Sequence, residues 1–461
     1  MNRRDFGLLT GSSLVTAAAL RPANAQSFTP DPTLLTTTLT PMGAERAGNA
    51  DGTIPAWTGG MVSTPTLPNQ PGQVQLFQNE QPLYTVDASN IAQYEHLLSE
   101  GTKAQINNFG LSLKVYPTHR TAAAPQYVYD NTAKNVTRAQ FDPAGGRFGI
   151  VGAYGGVPFP IIDTSDPYVG GLQLIWNHLT AWACFSNYTS FAPGCVVIHG
   201  KLVLVDGAQV RSTYPYYDPD GSPDSFDGYY YKSHAFTLAP SGSDGQENVV
   251  WFSLNIKKHP DIIWQLLNGQ GRVRKAPNLS YDTPSPASDG IANIDESTCF
   301  FGNPSQYDWR FIEKKELLVP YNCNALLFMP VQQLLKAHFP DPEYVRWEKH
   351  RVWIVEATLH PGERNVNSKR RFYIDEDSWA ALLGEGYDSN NALWKAYGSY
   401  NACFPSIPST AEQQVAVYSM LTGDYWWDGS QPWTPYSSSK YIGPQDPSYF
   451  EPQEMAAKAA F

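Results

Sequence analysis

The chain has 461 residues and is acidic: 43 Asp and Glu against 32 Lys and Arg leave a net charge of −11, which argues against a nucleic-acid partner and against tight binding to anionic lipid surfaces. Aromatic residues make up 13% (27 Tyr, 13 Trp) while charged residues reach only 16%, a balance suited to sheets with large apolar faces. The length would allow about three domains of ~150 residues, or one large β-rich domain with long loops, and 37 Pro and 36 Gly supply the turns for the latter.

Residues 1–25 read as an export signal. Arg3 and Arg4 form a twin-arginine pair, Phe6 to Leu20 are mildly apolar, and Ala23-Asn24-Ala25 is a small-x-small cleavage site. No cysteine lies nearby to carry a lipid anchor, and no other run approaches the ~18 apolar residues of a membrane span, so the mature chain is expected to be soluble and periplasmic. Twin-arginine export often serves proteins that load a cofactor before export, yet the chain has no Cys-x-x-Cys, no His-Glu-x-x-His and no Gly-x-Ser-x-Gly. No cofactor, metal ligand or catalytic residue is therefore assigned, and the other reasons for that route are fast folding or a cargo without a linear motif.

Residues 26–85, rich in Pro, Thr and Gly, read as an extended arm, and 86–461 as a single β domain with helical insertions. Asn90 to Gly101 has helical spacing with Gly101 as its stop, and Gly145 to Gly156 reads as a flexible connector because it matches neither G-x-G-x-x-G nor a P-loop. Gly170 to Phe185 reads as a second helix, with Leu172, Ile175, Trp176 and Leu179 on one stripe; His178 on it and His350 further on read as structural histidines. Five cysteines permit at most two bridges, with Cys184–Cys195 the first candidate. Asp218, Asp220, Asp224 and Asp227 lack EF-hand spacing and read as a solvated hairpin loop in preference to a calcium site.

Strands follow from Cys195 onward. In "VVWFSLNIKK", Val250, Phe252, Leu254 and Ile256 share one face. A hairpin around Asn268-Gly269 comes next, with Arg272 and Arg274 pointing the same way on its second arm. In "VRWEKHRVWIVEATL", Val352 and Ile354 oppose Trp353 and Val355, so both faces need cover, for which the helix at 171–185, a helix at 330–338 and the arm are the candidates. In "DEDSW", Asp375, Glu376 and Asp377 read as carboxylates for acid–base work or, preferably, as the lead-in to a helix "SWAALLGE" capped by Asp377 or Ser378. At least seven strands with hairpin-like connections predict an antiparallel sheet within a β-rich α+β fold.

Several stretches together resemble one family of periplasmic proteins of unknown function, DUF1329, described as similar to LolB-type outer-membrane lipoprotein-sorting proteins. They are "LTPMGAERAGNADGTIPAWTGG", "GVPFP" with "IWNHL", "GRVRKAPNLSYDTP", "YDWRFIEKKELLVPYN", "EYVRWEKHRVWIVEATL" and "RRFYIDEDSW". In "LLNGQGRVRKAP" the chain departs from the Pro-Gly-Gln-Arg-Arg run of that family, Gly271 standing in place of one arginine. The resemblance implies a large curved antiparallel sheet, a LolA/LolB-like half-barrel closed by helices, acting as a carrier of a hydrophobic molecule beside outer-membrane or transporter proteins, with no established reaction. On that reading the expected ligand face is Val250, Phe252, Leu254 and Ile256 with Trp264 and Trp353 as neighbours, and Arg272 and Arg274 meet a carboxylate or phosphate head group at the rim. The alternatives are a structural partner of an outer-membrane protein, docking through Tyr425 to Tyr436, or a hydrolase or isomerase using Asp375, Asp377 or His350.

Overall fold

The computed structural model describes residues 28–62, 75–144, 146–267, 269, 271–276, 281–429, 433 and 439–459. The export signal and Asn268 lie outside them. The strands are β1 (Tyr84–Val86), β2 (Leu113–Val115), β3 (Gln140–Asp142), β4 (Gly146–Val151), β5 (Ser186–Ile198), β6 (Lys201–Thr213), β7 (Tyr229–Ala239), β8 (Glu247–Ser253), β9 (Ile262–Leu266), β10 (Arg274–Lys275), β11 (Tyr307–Pro320), β12 (Trp347–Leu359), β13 (Lys369–Asp375), β14 (Ala381–Tyr387), β15 (Leu393–Phe404), β16 (Ser409–Ser419), β17 (Tyr425–Gly429) and β18 (Ser439–Tyr441). The helices are α1 (Ile91–Tyr94), α2 (Glu100–Phe109), α3 (Gln126–Arg138), α4 (Pro167–Leu179), α5 (Val331–Leu334) and α6 (Pro452–Ala459).

Sixteen strands form one open sheet, a half-barrel in the order β1-β2-β12-β13-β14-β15-β16-β17-β5-β6-β7-β8-β9-β10, with β11 also on β12 and β18 on β5. Every pairing is antiparallel except the single β2–β12 bridge. The join is β17, which lies between β16 and β5 and so links the β11–β17 half to the β5–β10 half.

Both faces of the sheet carry apolar side chains. On the inner face, Val355, Phe372, Val417 and Trp426 pack with Trp176 of α4. On the outer face, Val352, Ile354, Ala416 and Trp427 pack with Leu326 and with Val331 of α5. Helix α4 is buried almost all round, as a helix lining the inside of a half-barrel must be. Gly171 lets it approach β11, since a Cβ there would stand 2.6 Å from the Arg310 nitrogen. The arm also lies on the inner side, where the Trp379 indole donates to the Met42 carbonyl at 2.8 Å.

Several elements depart from the sequence reading. Gly101 is no stop: the chain breaks at Leu98 and restarts as α2, N-capped by the Ser99 hydroxyl and ended at Gly110 (φ 78). Gly101 sits inside α2 because it faces Ala396, which a Cβ would meet at 2.9 Å. The Gly145–Gly156 stretch is not a loose connector throughout: its Gly146–Val151 part is strand β4, paired with β3 and bridged from Gly149 to Asn255, while Gly145 lies outside the described residues. Helix α4 ends at Thr180, and strand β5 begins at Ser186, ahead of Cys195. The 330–338 segment is helical only over α5. "SWAALLGE" is not a helix; Asp375 accepts the Ser378 N–H at 2.8 Å in a tight turn that leads into β14. Its apolar run belongs to a strand buried on both faces, which has no alternation to read.

All five cysteines are free and buried. Cys184 precedes β5 and Cys195 lies near its far end, and about 3.3 Å per residue of extended chain holds them on the order of 30 Å apart.

Candidate functional site

On the inner face of the β6–β9 region the segment from Ser285 to Phe301 roofs a cleft of about 420 Å³. Val205, Val250, Phe252 and Ile263 form its floor and Pro286, Ile294 and Phe301 its roof. Antiparallel register sets the floor: Val250 lies opposite Ile263 and Asn248 opposite Gln265, and all four side chains face the cleft. A second chamber of about 130 Å³ shares Tyr231 and Phe301 with the cleft and runs inward to His178, Trp182, Tyr230 and Glu412.

The residues singled out from the sequence are distributed unevenly around this site. Val250 and Phe252 line the cleft. Leu254, 4% exposed, is part of the core below it, and Ile256 lies beyond the end of β8. Trp264 packs with Trp251 and Val249 on the outer face, against Met455. Trp353 is in the other half of the sheet, stacked on Trp379. Arg274 lies opposite the cleft-lining Gln265 and so projects from the same face, at the sheet edge; Arg272 precedes it outside any strand, and both are exposed. Tyr425, Trp426 and Trp427, read as the start of a docking surface, are instead buried in the middle of the sheet; residues 430–432 and 434–438 lie outside the described ones.

Three carboxyls that sequence reasoning passed over lie on this inner face. Asp206 of β6 lines the cleft and Glu412 of β16 lines the second chamber. Asp428 of β17 pairs with the inward-facing Val415. Burial pushes Glu412 up to about 8, against a hydrogen bond from Ser399 and with the repulsion of Asp428. It pushes Asp428 up to about 7, with Asp206 adding repulsion, and Asp206 is raised as well. A lone acid in an apolar strand reads as outward-facing, so only the paired register of β6, β5, β17 and β16 brings them out.

A folded-state carboxyl with a raised pKa holds its proton where the unfolded chain has released it, so its contribution to stability is complete at low pH and is lost as pH rises. Wild-type stability is expected to fall from about pH 5 to about pH 8 relative to an Asp428→Asn, Glu412→Gln double variant. Parallel stability curves from urea melts would refute it.

The carboxylates of "DEDSW" are gathered elsewhere, and none of them lines the cleft. His350, Asp375 and Asp377 are buried with ligand atoms within 4.8 Å of one another, the spacing of a metal site. Most of their donor atoms are already committed, although Asp375 Oδ1 has no hydrogen-bond partner and stands 3.8 Å from His350 Nδ1. Asp377 accepts two N–H groups of Arg120 at 2.8 and 2.7 Å, Asp375 accepts from Ser378 and from the Tyr321 hydroxyl, and His350 pairs with Glu348 at 3.0 Å. Glu376 joins Lys314 and Arg351, and Arg120 also donates to the Glu45 carbonyl at 2.7 Å. The carboxylates are balanced by the chain's own cations, and the network fastens the arm to the sheet. The Asp218–Asp227 loop disperses likewise: the Asp218 carbonyl accepts the Tyr154 hydroxyl, and Asp227 pairs with Lys232 at 2.6 Å.

A second buried pair holds the roof. Arg370 of β13 faces Asp295 at 3.1 Å and donates to the carbonyls of Asp295 and Cys299 at 3.2 and 2.8 Å, while Lys395 pairs with Glu296 at 2.7 Å. Among the described residues no helix is long and apolar enough to cross a membrane.

An uncharacterized Pseudomonas aeruginosa protein, PA3922, is 35% identical to this chain over 404 residues, 85% of each. Among solved structures, a DUF1329 protein of Desulfovibrio piger superposes with a TM-score of 0.42 at 16% identity, covering 63% of this chain and 99% of its own. A putative outer-membrane lipoprotein-sorting protein domain from Vibrio parahaemolyticus gives 0.42 at 11% identity, covering 62% and 98%. The family model for proteins of unknown function, DUF1329, matches residues 85–456, and the chain belongs to that family.

Proposed function

We propose that the chain is a periplasmic binding protein that takes up one hydrophobic molecule, lipid-, sterol- or fatty-acid-like, in the cleft between β6–β9 and its roof and carries it between the inner and outer membranes. The observation that carries this reading is the cleft itself: about 420 Å³ on the inner face of the sheet, walled by Val205, Val250, Phe252, Ile263 and Phe301. That volume falls within the ~300–1,000 Å³ typical of small-molecule sites. Burying about 300 Å² of apolar ligand surface there gains roughly 7 kcal/mol before the costs of association. Val250 and Phe252 contact the body of the ligand, and Arg274 stands at the sheet edge beside the opening.

The test is native mass spectrometry of the mature protein, purified from periplasm without detergent, followed by solvent extraction. A stoichiometric hydrophobic adduct is the expected result and names the cargo. A clean apo mass, unchanged after incubation with phospholipid, sterol and fatty acid, overturns the proposal.

A further inference from the structure

Asp206 lines the cleft, Glu412 lines the second chamber and Asp428 lies on the same inner face, and among the described residues none of the three has an ion-pair partner. Burial, nearby carboxylates and neutral hydrogen-bond donors account for the state of Asp206, Asp428 and Glu412, and among the described residues no lysine, arginine or histidine contributes. Asp206 and Asp428 flank Gly194 of β5: Gly194 pairs with Asp206, and the next residue, Cys195, pairs with Trp427. A side chain at 194 would stand 3.3 Å from the Ala287 carbonyl oxygen of the roof and 3.4 Å from the Asp206 Cβ, so the glycine lets the roof carbonyl come down close to the floor between the two carboxyls. In the second chamber Tyr230, 3% exposed, keeps a buried hydroxyl without a hydrogen-bond partner.

Among the described residues that line the chambers, the other titratable groups supply no positive charge either. Burial pushes His178 down to about 4, Tyr214, Tyr230 and Tyr231 are raised, and Asp261 behind Tyr230 is pushed up to about 7. The arginines of this region, Arg272 and Arg274, are exposed at the sheet edge.

We propose that the molecule bound here is an amphipath with a basic nitrogen, its ammonium seated among Asp206, Asp428 and Glu412 and its apolar body along Val250, Phe252, Ile263 and Phe301. This rests on the carrier reading and adds the head-group class to it. Two adjacent desolvated carboxyls without a cation resist ionisation, and an ammonium between them offsets both burial and mutual repulsion. Ammonium binding therefore expels protons from the carboxyls and tightens as pH rises. An alcohol of equal length gains only a hydrogen bond, and a carboxylate of equal length is repelled.

The probes are decylamine, 1-decanol and decanoate, titrated by calorimetry into the mature protein at pH 6 and pH 8. At pH 8 decylamine is expected to bind at least about tenfold tighter than decanol, with decanoate weakest. Decylamine affinity rises several-fold from pH 6 to pH 8 while that of decanol stays flat. In the Asp206→Asn, Asp428→Asn double variant the preference for the amine collapses, and retained decanol binding shows that the cleft is intact. Equal binding of amine and decanol by the wild type, or an amine preference that survives the double variant, overturns the head-group assignment and leaves the carrier reading standing. Failure of all three probes removes both.

Discussion

The Arg370→Met variant is expected to lose about 3 to 5 kcal/mol of stability and, with it, the closed roof of the cleft. The Arg370 side chain is fully buried, 3.1 Å from the Asp295 carboxylate, with its guanidinium 5.1 Å from the centres of the Phe300, Phe372 and Tyr397 rings. Burial pushes Asp295 up to about 6 even with Arg370 opposing it, while Glu296, also buried, is held below the usual range by Lys395 and Arg370. Removing the arginine leaves two adjacent buried carboxyls sharing one lysine and strands the Cys299 carbonyl, while the Asp295 carbonyl keeps only the Phe301 N–H. Methionine keeps most of the volume, so the loss is electrostatic and not a cavity effect. Urea melts measure the stability, and hydrogen exchange or limited proteolysis across residues 285–301 reads the roof. A variant within about 1 kcal/mol of wild type, with an equally protected roof, would show that Arg370 does not hold that segment.

This assignment also explains what one of the family-like stretches contributes. In "RRFYIDEDSW", Arg370 fastens the roof, Asp375 closes a turn on Ser378, and Glu376 and Asp377 hold the arm through Lys314, Arg351 and Arg120. These residues are legible in sequence as charged groups in an apolar setting, but not as partners, because every partner except Ser378 lies far away along the chain. Strand β8 was legible for the opposite reason: its alternation is local, and it placed Val250 and Phe252 on the face that lines the cleft. The same alternation could not show that Leu254 leaves the cleft for the core or that Trp264 faces outward, since both depend on where β8 ends and how β9 registers against it. Strand β14 was illegible because burial on both faces removes the alternation. Asp206, Asp428 and Glu412 come from three strands, and only the sheet order brings them to one face.

The Val250→Trp variant is expected to lower the affinity for 1-decanol by about a hundredfold or more, equivalent to roughly 2.7 kcal/mol, while changing stability by less than about 1 kcal/mol. Val250 is half-buried at the floor of the cleft, opposite Ile263 on one neighbouring strand and Ser233 on the other, so its side chain projects into the space that a ligand would fill. An indole there finds room that already exists and removes it from the ligand. The control is Leu254→Trp, four residues along the same chain but 4% exposed in the core, where no room exists and over-packing costs about 1 to 3 kcal/mol. The pair separates a cavity from a packed interior. If Val250→Trp destabilises the protein as much as Leu254→Trp does, the β6–β9 face is core and the cleft offers no free volume. If Val250→Trp folds normally and binds decanol as wild type does, the hydrophobic site lies elsewhere on the molecule. Loss of binding in a variant of unchanged stability places the ligand against Val250.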